Sequence, residues 1–441
     1  MTMDIPFRIT ETGVPRMHKL TGFVVATCLW FVLLVPTAWA QIEIPVERPE
    51  LEPLPIAIPD FSSNEQGPLS GSRLAGIIRN DLFMTGLFRM IEPNSTLRVA
   101  PGGDPHFQNW AELGAQALVT ANFSVRGDIL TLEARLYDVA LKKMELGKRF
   151  SGNVRDHRVI VHRLADRILE KLTGSPGCFS SRIAFVSTGR SREIFTMDFD
   201  GQNLRQITRN RSINLSPDWA PNGKSILFTS YLKGNPDLWS VDLTRGTSTL
   251  VSSRRGINAA ARYSPDGRSI ALSMNAKGIP KIFIITPQGN IIKRLTHGRG
   301  NDISPTWSPD GSTIAYVSDQ AGNPQIYLVS VNGGEPRRLT FDTIYNTDPD
   351  WSPRGDRIAF TARIKGRFEI CTIRTDGTDL QVLTRGGSNR APAWSPDGRM
   401  IAFSSNRDGA KRIYVMDRTG EIQVRVSQIS GKAPAWSRSF R

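Results

Sequence analysis

The chain has 441 residues, 39% of them hydrophobic and 22% charged, with a formal net charge of +15. That length exceeds one ordinary core, so two or more domains are expected. Three cysteines in the whole chain exclude a disulfide scaffold.

In chain order, the first forty residues stand apart. Arg16 and Lys19 precede the apolar run Phe23 to Val35, and Ala38-Trp39-Ala40 places small residues at a cleavage site. The run is shorter than the roughly 20 residues needed to span a bilayer. A secretory signal cleaved after Ala40 is therefore expected, with Met17 serving as a start as well as Met1. Cys28 follows Thr27 rather than a small residue, which does not suit lipidation. No later segment is apolar enough to be a transmembrane segment, so an exported protein is expected. Without residues 1–40 the net charge is +14, from scattered basic residues. Such a surface attracts nucleic acid, anionic lipid or an acidic protein; export and the lack of a nucleic-acid-binding motif argue against the first. Cys178 and Cys371 lie far apart, and their pairing is not expected.

Residues 41–54 are rich in Pro and Glu and read as an extended arm. Residues 55–175 read as a small α+β domain. Ile56–Ile58 is a strand, Leu69–Leu87 has helical spacing through Leu74, Ile77, Ile78, Leu82 and Phe83, and Phe88–Ile91 is a second strand. A short helix carries Trp110–Leu113. Ala117–Phe123 and Ile129–Tyr137 form a hairpin about Arg126-Gly127-Asp128, and Val159–Leu172 is a final helix. Gly174-Ser175-Pro176-Gly177 is the linker.

Residues 176–441 repeat. Trp219, Tyr263, Trp307, Trp351 and Trp394 each open a W-S-P-D-G-like stretch, and Trp436 ends a degraded copy, at intervals of 44, 44, 44, 43 and 42 residues. In S-P-D-G, Pro sets φ for the first corner, Asp bonds back to the backbone and Gly tolerates positive φ, which makes a hairpin. After it come β-branched and aromatic runs such as Ile401-Ala-Phe-Ser-Ser and Ile413-Tyr-Val-Met-Asp, then short polar runs such as Arg337-Arg-Leu-Thr. Four short strands per period of roughly 40–50 residues is the pattern of a β-propeller blade. The second strand starts at Ile183, Ile226, Ile270, Ile314, Ile358 and Ile401, which predicts six blades. The first has no Trp strand before it, and Ala435-Trp436-Ser437 has no hairpin after it, so the C-terminal strand is expected to complete blade one and close the ring. The recurring Trp reads as packing between blades.

No G-x-S-x-G elbow, H-E-x-x-H, zinc-ligand spacing or phosphate-cradling glycine loop is present. No cofactor or metal is expected. His157 and His162 are expected in surface or capping roles. Acidic residues meeting in the propeller channel remain an open route to catalysis.

Six blades carrying W-S-P-D-G-x-x-I-A-F behind an exported α+β domain resemble the TolB family of the bacterial Tol-Pal envelope system. "RLAGIIRNDLFMTGLF" at 73–88, "LGAQALV" at 113–119 and "ILEKLTG" at 168–174 carry the resemblance into the first domain. It implies a periplasmic, non-catalytic scaffold whose propeller face binds the peptidoglycan-associated lipoprotein Pal. The arm, starting at Gln41, Ile42, Glu43 and Ile44, would bind the inner-membrane protein TolA. The implied role is maintenance of outer-membrane integrity and support of cell division. The other class left open is a secreted propeller hydrolase or lyase acting on envelope polymers.

The segments before each Trp strand gather around one channel mouth and vary between blades while keeping Asn258, Asn301, Asn346 and Asn389. Asn at these places also suits a turn. Ile257, Asp302, Ile303, Thr347 and Arg390 beside them are not dictated by turn geometry and are the candidate partner-binding residues, with Ile303 and Arg390 as anchors.

Overall fold

The computed structural model describes residues 52–63, 69–92, 103 and 105–437. The signal segment, the cleavage site at Ala40 and the arm residues Gln41, Ile42, Glu43 and Ile44 lie outside them. No helix among the described residues is long and apolar enough to cross a membrane.

The first domain packs helices on one mixed five-stranded sheet. Its elements are β1 (Leu54–Ala57), α1 (Gly71–Phe83), β2 (Phe88–Ile91), α2 (Phe107–Glu112), β3 (Ala117–Arg126), β4 (Ile129–Asp138), β5 (Lys143–Asn153) and α3 (His157–Thr173). The sheet order is β2-β1-β3-β4-β5, with β1 parallel to both neighbours. Helix α1 is shorter than the apolar spacing suggests. Ser70 caps its start by accepting the Arg73 N–H, and Thr85 Oγ1 donates to the Leu82 carbonyl just past its end. Strand β5 is the edge strand: Leu146 and Phe150 face the core, opposite Leu136 and Leu132, while much of the rest of its length is open to solvent. Its partner β4 supplies the buried face through Leu130, Leu132, Ala134 and Leu136.

Six four-stranded sheets follow, one per blade. Blade one takes its innermost strand from the C-terminus: Gly431–Trp436 pairs antiparallel with Arg182–Ser187, with Trp436 opposite Ile183. Ser437 completes the seam, its N–H donating to the Arg182 carbonyl at 2.8 Å and its Oγ accepting the Arg182 N–H at 2.8 Å. Indole N–H groups cross between blades: Trp219 donates to the Ala435 carbonyl and Trp307 to the Arg262 carbonyl, both at 3.1 Å. The recurring Trp is a packing residue, as its spacing implies.

Every innermost strand carries a bulge at one height. Ser216, Ala260, Ser304, Asp348, Ala391 and Ala433 all have φ between 47° and 54°, and five of them precede a proline. A left-handed residue other than glycine costs roughly 1–2 kcal/mol. The bulge offsets this by placing proline, which has no N–H, where a ladder bond is already lost.

The first domain sits on the face formed by the S-P-D-G turns, called here the near face. Arg399, in the last such turn, donates to Thr173 Oγ1 at 2.7 Å and to the Pro176 carbonyl at 3.1 Å. Arg158 on α3 pairs with Asp200, in the turn after the third strand of blade one, and donates to His162 at 3.3 Å. His162 is buried and its Nδ1 meets Asp81 of α1 at 2.7 Å. The surface or capping role expected for His162 is thus overturned; His157 does cap, through Nδ1 on the Val154 carbonyl. Cys178 and Cys371 are both free and buried.

Candidate partner-binding face and central channel

The loops leading into each innermost strand and the hairpins joining each second strand to its third lie on the far face, opposite the first domain. Asn258, Asn346, Asn389 and Asp302 occupy equivalent first positions of innermost strands, and all are buried. Each works inside the ring. Asn389 Nδ2 donates to Glu369 at 2.7 Å, while Thr384 Oγ1 donates to the same Glu369 oxygen at 2.7 Å. Asn346, Gln325 and Thr340 repeat this arrangement, as do Asn214, Glu193 and Thr208. Each set ties the third strand of one blade to the first strand of the next. It also gives the Thr of the polar run its role: Thr208, Thr296, Thr340 and Thr384 each accept the N–H of a third-strand isoleucine.

Asp302 departs from Asn because its neighbour does. Where blades one, four and five carry Glu193, Gln325 and Glu369, the third strand here carries Lys281, 1% exposed, whose Nζ lies 2.7 Å from Asp302. Asn301 is one residue out of register with the other asparagines. It is exposed, and binds Asp319 through its N–H at 2.7 Å and its Nδ2 at 2.6 Å.

Ile257, Ile303 and Thr347 are partly exposed on the far face, and Arg390 is exposed. Ile303 rests partly on the core formed by Val317, Ile326 and Phe360. Arg390 stacks on an aromatic platform: its guanidinium lies 3.4 Å from the centre of the Phe368 ring, whose edge-to-face partner is Tyr345 at 5.9 Å. Phe368 and Tyr345 complete an aromatic seat that the repeat pattern conceals, since both lie in loops or hairpin ends that vary between blades. Phe341 and Ile344, 68% and 67% exposed, stand in the same loop as Tyr345. Two apolar residues in a polar turn were the signal for them.

The channel has a cavity of about 670 Å³ at the near face, lined by Asp218, Arg262, Asp350, Trp307 and Trp351, with Pro176 and Gly177 of the linker at its rim. Toward the far face it narrows to about 60 Å³ at the ring of bulges. Its carboxylates are structural ties. Asp218 accepts the Tyr263 N–H at 2.9 Å and Asp350 accepts the Trp394 N–H at 2.7 Å, each from the following blade. Burial pushes the Asp350 carboxyl up to about 6, against the opposing pull of Arg262. Burial likewise pushes the Cys371 thiol up to about 12, which makes it a poor nucleophile.

Asp350→Asn keeps an acceptor for the Trp394 N–H and removes the buried charge. Because the folded carboxyl holds its proton up to a higher pH than an unfolded one, the wild type loses stability as pH rises from about 4 through 6. The variant is expected to melt higher than wild type at pH 8 and equally at pH 4, measured by urea melts across that range. The same increment at every pH would assign the effect to packing instead.

Asp81, His162 and Asp200 offer ligand atoms within 4.8 Å of one another, close enough for a metal ion. The Arg158 guanidinium already supplies the counter-charge between His162 and Asp200. Burial pushes the Asp81 carboxyl up to about 6, and the facing imidazole opposes it. The cluster is an ionic joint between α1, α3 and blade one.

The protein is thus a six-bladed propeller with a small α+β domain on one face and an open loop face opposite, its channel carboxylates Asp218 and Asp350 engaged in hydrogen bonds between blades. Residues 169–440 match the TolB beta propeller domain and residues 42–144 the TolB amino-terminal domain. The chain belongs to the TolB family. It is 39% identical to the Tol-Pal system protein TolB of Desulfosudis oleivorans over 231 residues, covering 50% of this chain and 53% of that protein. It is 36% identical to the protein of the same name from Cereibacter sphaeroides over 236 residues, again 50% and 53% of the two chains. The chain thus spans about half the length of these curated relatives. The crystal structure of TolB from Acinetobacter baumannii superposes with a TM-score of 0.79 at 27% identity, covering 87% of this chain and 96% of that one.

Proposed function

We propose that the chain is a non-catalytic periplasmic scaffold of the Tol-Pal system, linking Pal, held on the far propeller face, to TolA, held by the arm beginning at Gln41-Ile42-Glu43-Ile44. Through these partners it serves outer-membrane integrity and cell division. The observation that carries this reading is the Arg390–Phe368–Tyr345 seat. A preorganised Arg on an aromatic platform is the type of group that dominates interface energetics, and here it stands among the candidate residues Ile257, Asn301, Ile303 and Thr347. The buried Asn258, Asp302, Asn346 and Asn389 support that face from beneath by locking its loops to the neighbouring blade.

The test is capture of purified Pal and TolA domains by the chain starting at Gln41. Because Ile303 is partly core, Ile303→Ala probes it more cleanly than Asp. Ile303→Ala with Arg390→Glu is expected to weaken Pal binding by at least about tenfold, a loss of ~1.4 kcal/mol or more, with TolA capture intact. Deleting residues 41–47 is expected to abolish TolA capture alone. Undiminished Pal affinity in the double variant would move the site to the other face.

A further inference from the structure

The chain's basic excess is concentrated on one side of the ring. With loop bounds set by the strand ends, the twelve far-face loops carry thirteen Lys and Arg against four Asp and Glu, a net of +9. The eleven near-face turns, of similar total length, carry six against nine, a net of −3. That net already counts the four far-face acids, of which Glu193 is buried in a blade tie and Asp319, Asp342 and Asp408 stand nearer the surface. The cations are presented outward: Arg209, Arg255 and Arg299, in the connections entering blades two, three and four, are all exposed.

We propose that the far face is a docking surface for an acidic protein, its ring of cations selecting and steering a partner surface rich in Asp and Glu. This rests on the reading that the far face is the propeller's partner site, and it adds the partner's chemistry. Nine of the thirteen cations are Arg. Arg pairs bidentately with carboxylates, and protein interfaces are enriched in Arg and aromatics while depleted in Lys. The Arg390–Phe368–Tyr345 seat and the exposed Phe341 and Ile344 lie on this same face, which supplies apolar anchors inside a cationic field. Fields of this kind act chiefly on the association rate. They fade when salt shortens the Debye length from about 10 Å at 0.1 M.

The test uses the chain from Gln41, a variant with Arg209→Glu, Arg255→Glu and Arg299→Glu, and a near-face control with Lys224→Glu and Arg245→Glu. Three probes are offered: the soluble domain of Pal, a poly-glutamate peptide, and vesicles of phosphatidylglycerol in phosphatidylcholine. Pal association is expected to slow about tenfold or more in the far-face variant, and to slow with added salt in the wild type, within the range of electrostatic steering. The control is expected to associate at the wild-type rate, and all three proteins to melt together. A Pal association rate indifferent to salt and to the three reversals would overturn the inference. If Pal does not bind at all, poly-glutamate bound by the wild type and released by the far-face variant keeps the acidic-partner inference and removes only the Pal reading. Vesicle binding sensitive to the same three reversals, with neither Pal nor poly-glutamate bound, would overturn it in favour of a lipid surface.

Discussion

Deleting residues 433–441 is expected to lower the melting temperature by roughly 10–20 °C or to leave the protein insoluble, at about 2–4 °C per kcal/mol for a domain of this size. The deletion removes most of the innermost strand of blade one. Its ladder to Arg182–Ser187 goes, and with it the Ser437 bonds at the seam and the carbonyl that receives the Trp219 indole N–H. Ala184, Val186 and Ile226, packed with Ala435 in one apolar cluster, lose their cover. The damage exceeds one strand, because an unclosed ring exposes an unpaired edge ready to pair with another chain. Differential scanning calorimetry with light scattering reads both effects. A truncated protein that melts with the wild type and stays monomeric would refute closure by the C-terminus.

Lys281→Met is expected to cost about 3–5 kcal/mol, because it strands the Asp302 carboxylate in the interior. Lys281 Nζ bonds Asp302 and the carbonyls of Gly300 and His297, so the change also frees two loop carbonyls on the far face. Asp302→Asn leaves the ammonium unpaired and is expected to cost a similar amount. The informative variant combines Lys281→Glu with Asp302→Asn, which installs the charge pattern that Glu369 and Asn389 use between blades five and six. The third member is already in place: Thr296 accepts the Ile282 N–H at 3.0 Å, as Thr384 accepts that of Ile370. The double variant is expected to recover most of the stability lost by either single change. A double-mutant cycle built from Lys281→Glu alone, Asp302→Asn alone and the two together would show, by urea denaturation, a coupling of about 2 kcal/mol or more. Additive losses would mean that the two side chains act separately and that the blade tie does not exist as a unit.

Much of the architecture is legible in the chain itself because its causes are local. The S-P-D-G turn, the β-branched runs and the 42–44-residue interval each follow from residues a few positions apart, so blade count and strand order can be read directly. Closure is legible too, since Ile183 lacks a partner strand that Trp436 offers. In the first domain, α1 and α3 show through their apolar spacing, whereas β5 is harder to read, because only Leu146 and Phe150 mark its inner face, with Lys148 between them.

What each far-face residue does is decided only by the fold. Asn258, Asn346 and Asn389 look like exposed loop residues in sequence, yet they are buried because the partner that uses them lies on the preceding blade. Asp302 is explained only by Lys281, twenty-one residues earlier and one blade away. His162 is a surface residue by its spacing and a buried one by contact with Asp81, eighty-one residues distant. The scattered basic residues form no run in sequence. They become a field because strand alternation sends every second loop to the same side of the ring. The repeat determines the scaffold, since turn chemistry and strand period are short-range. Tertiary structure decides the site, since burial and charge at each position depend on blades that only the closed ring brings together.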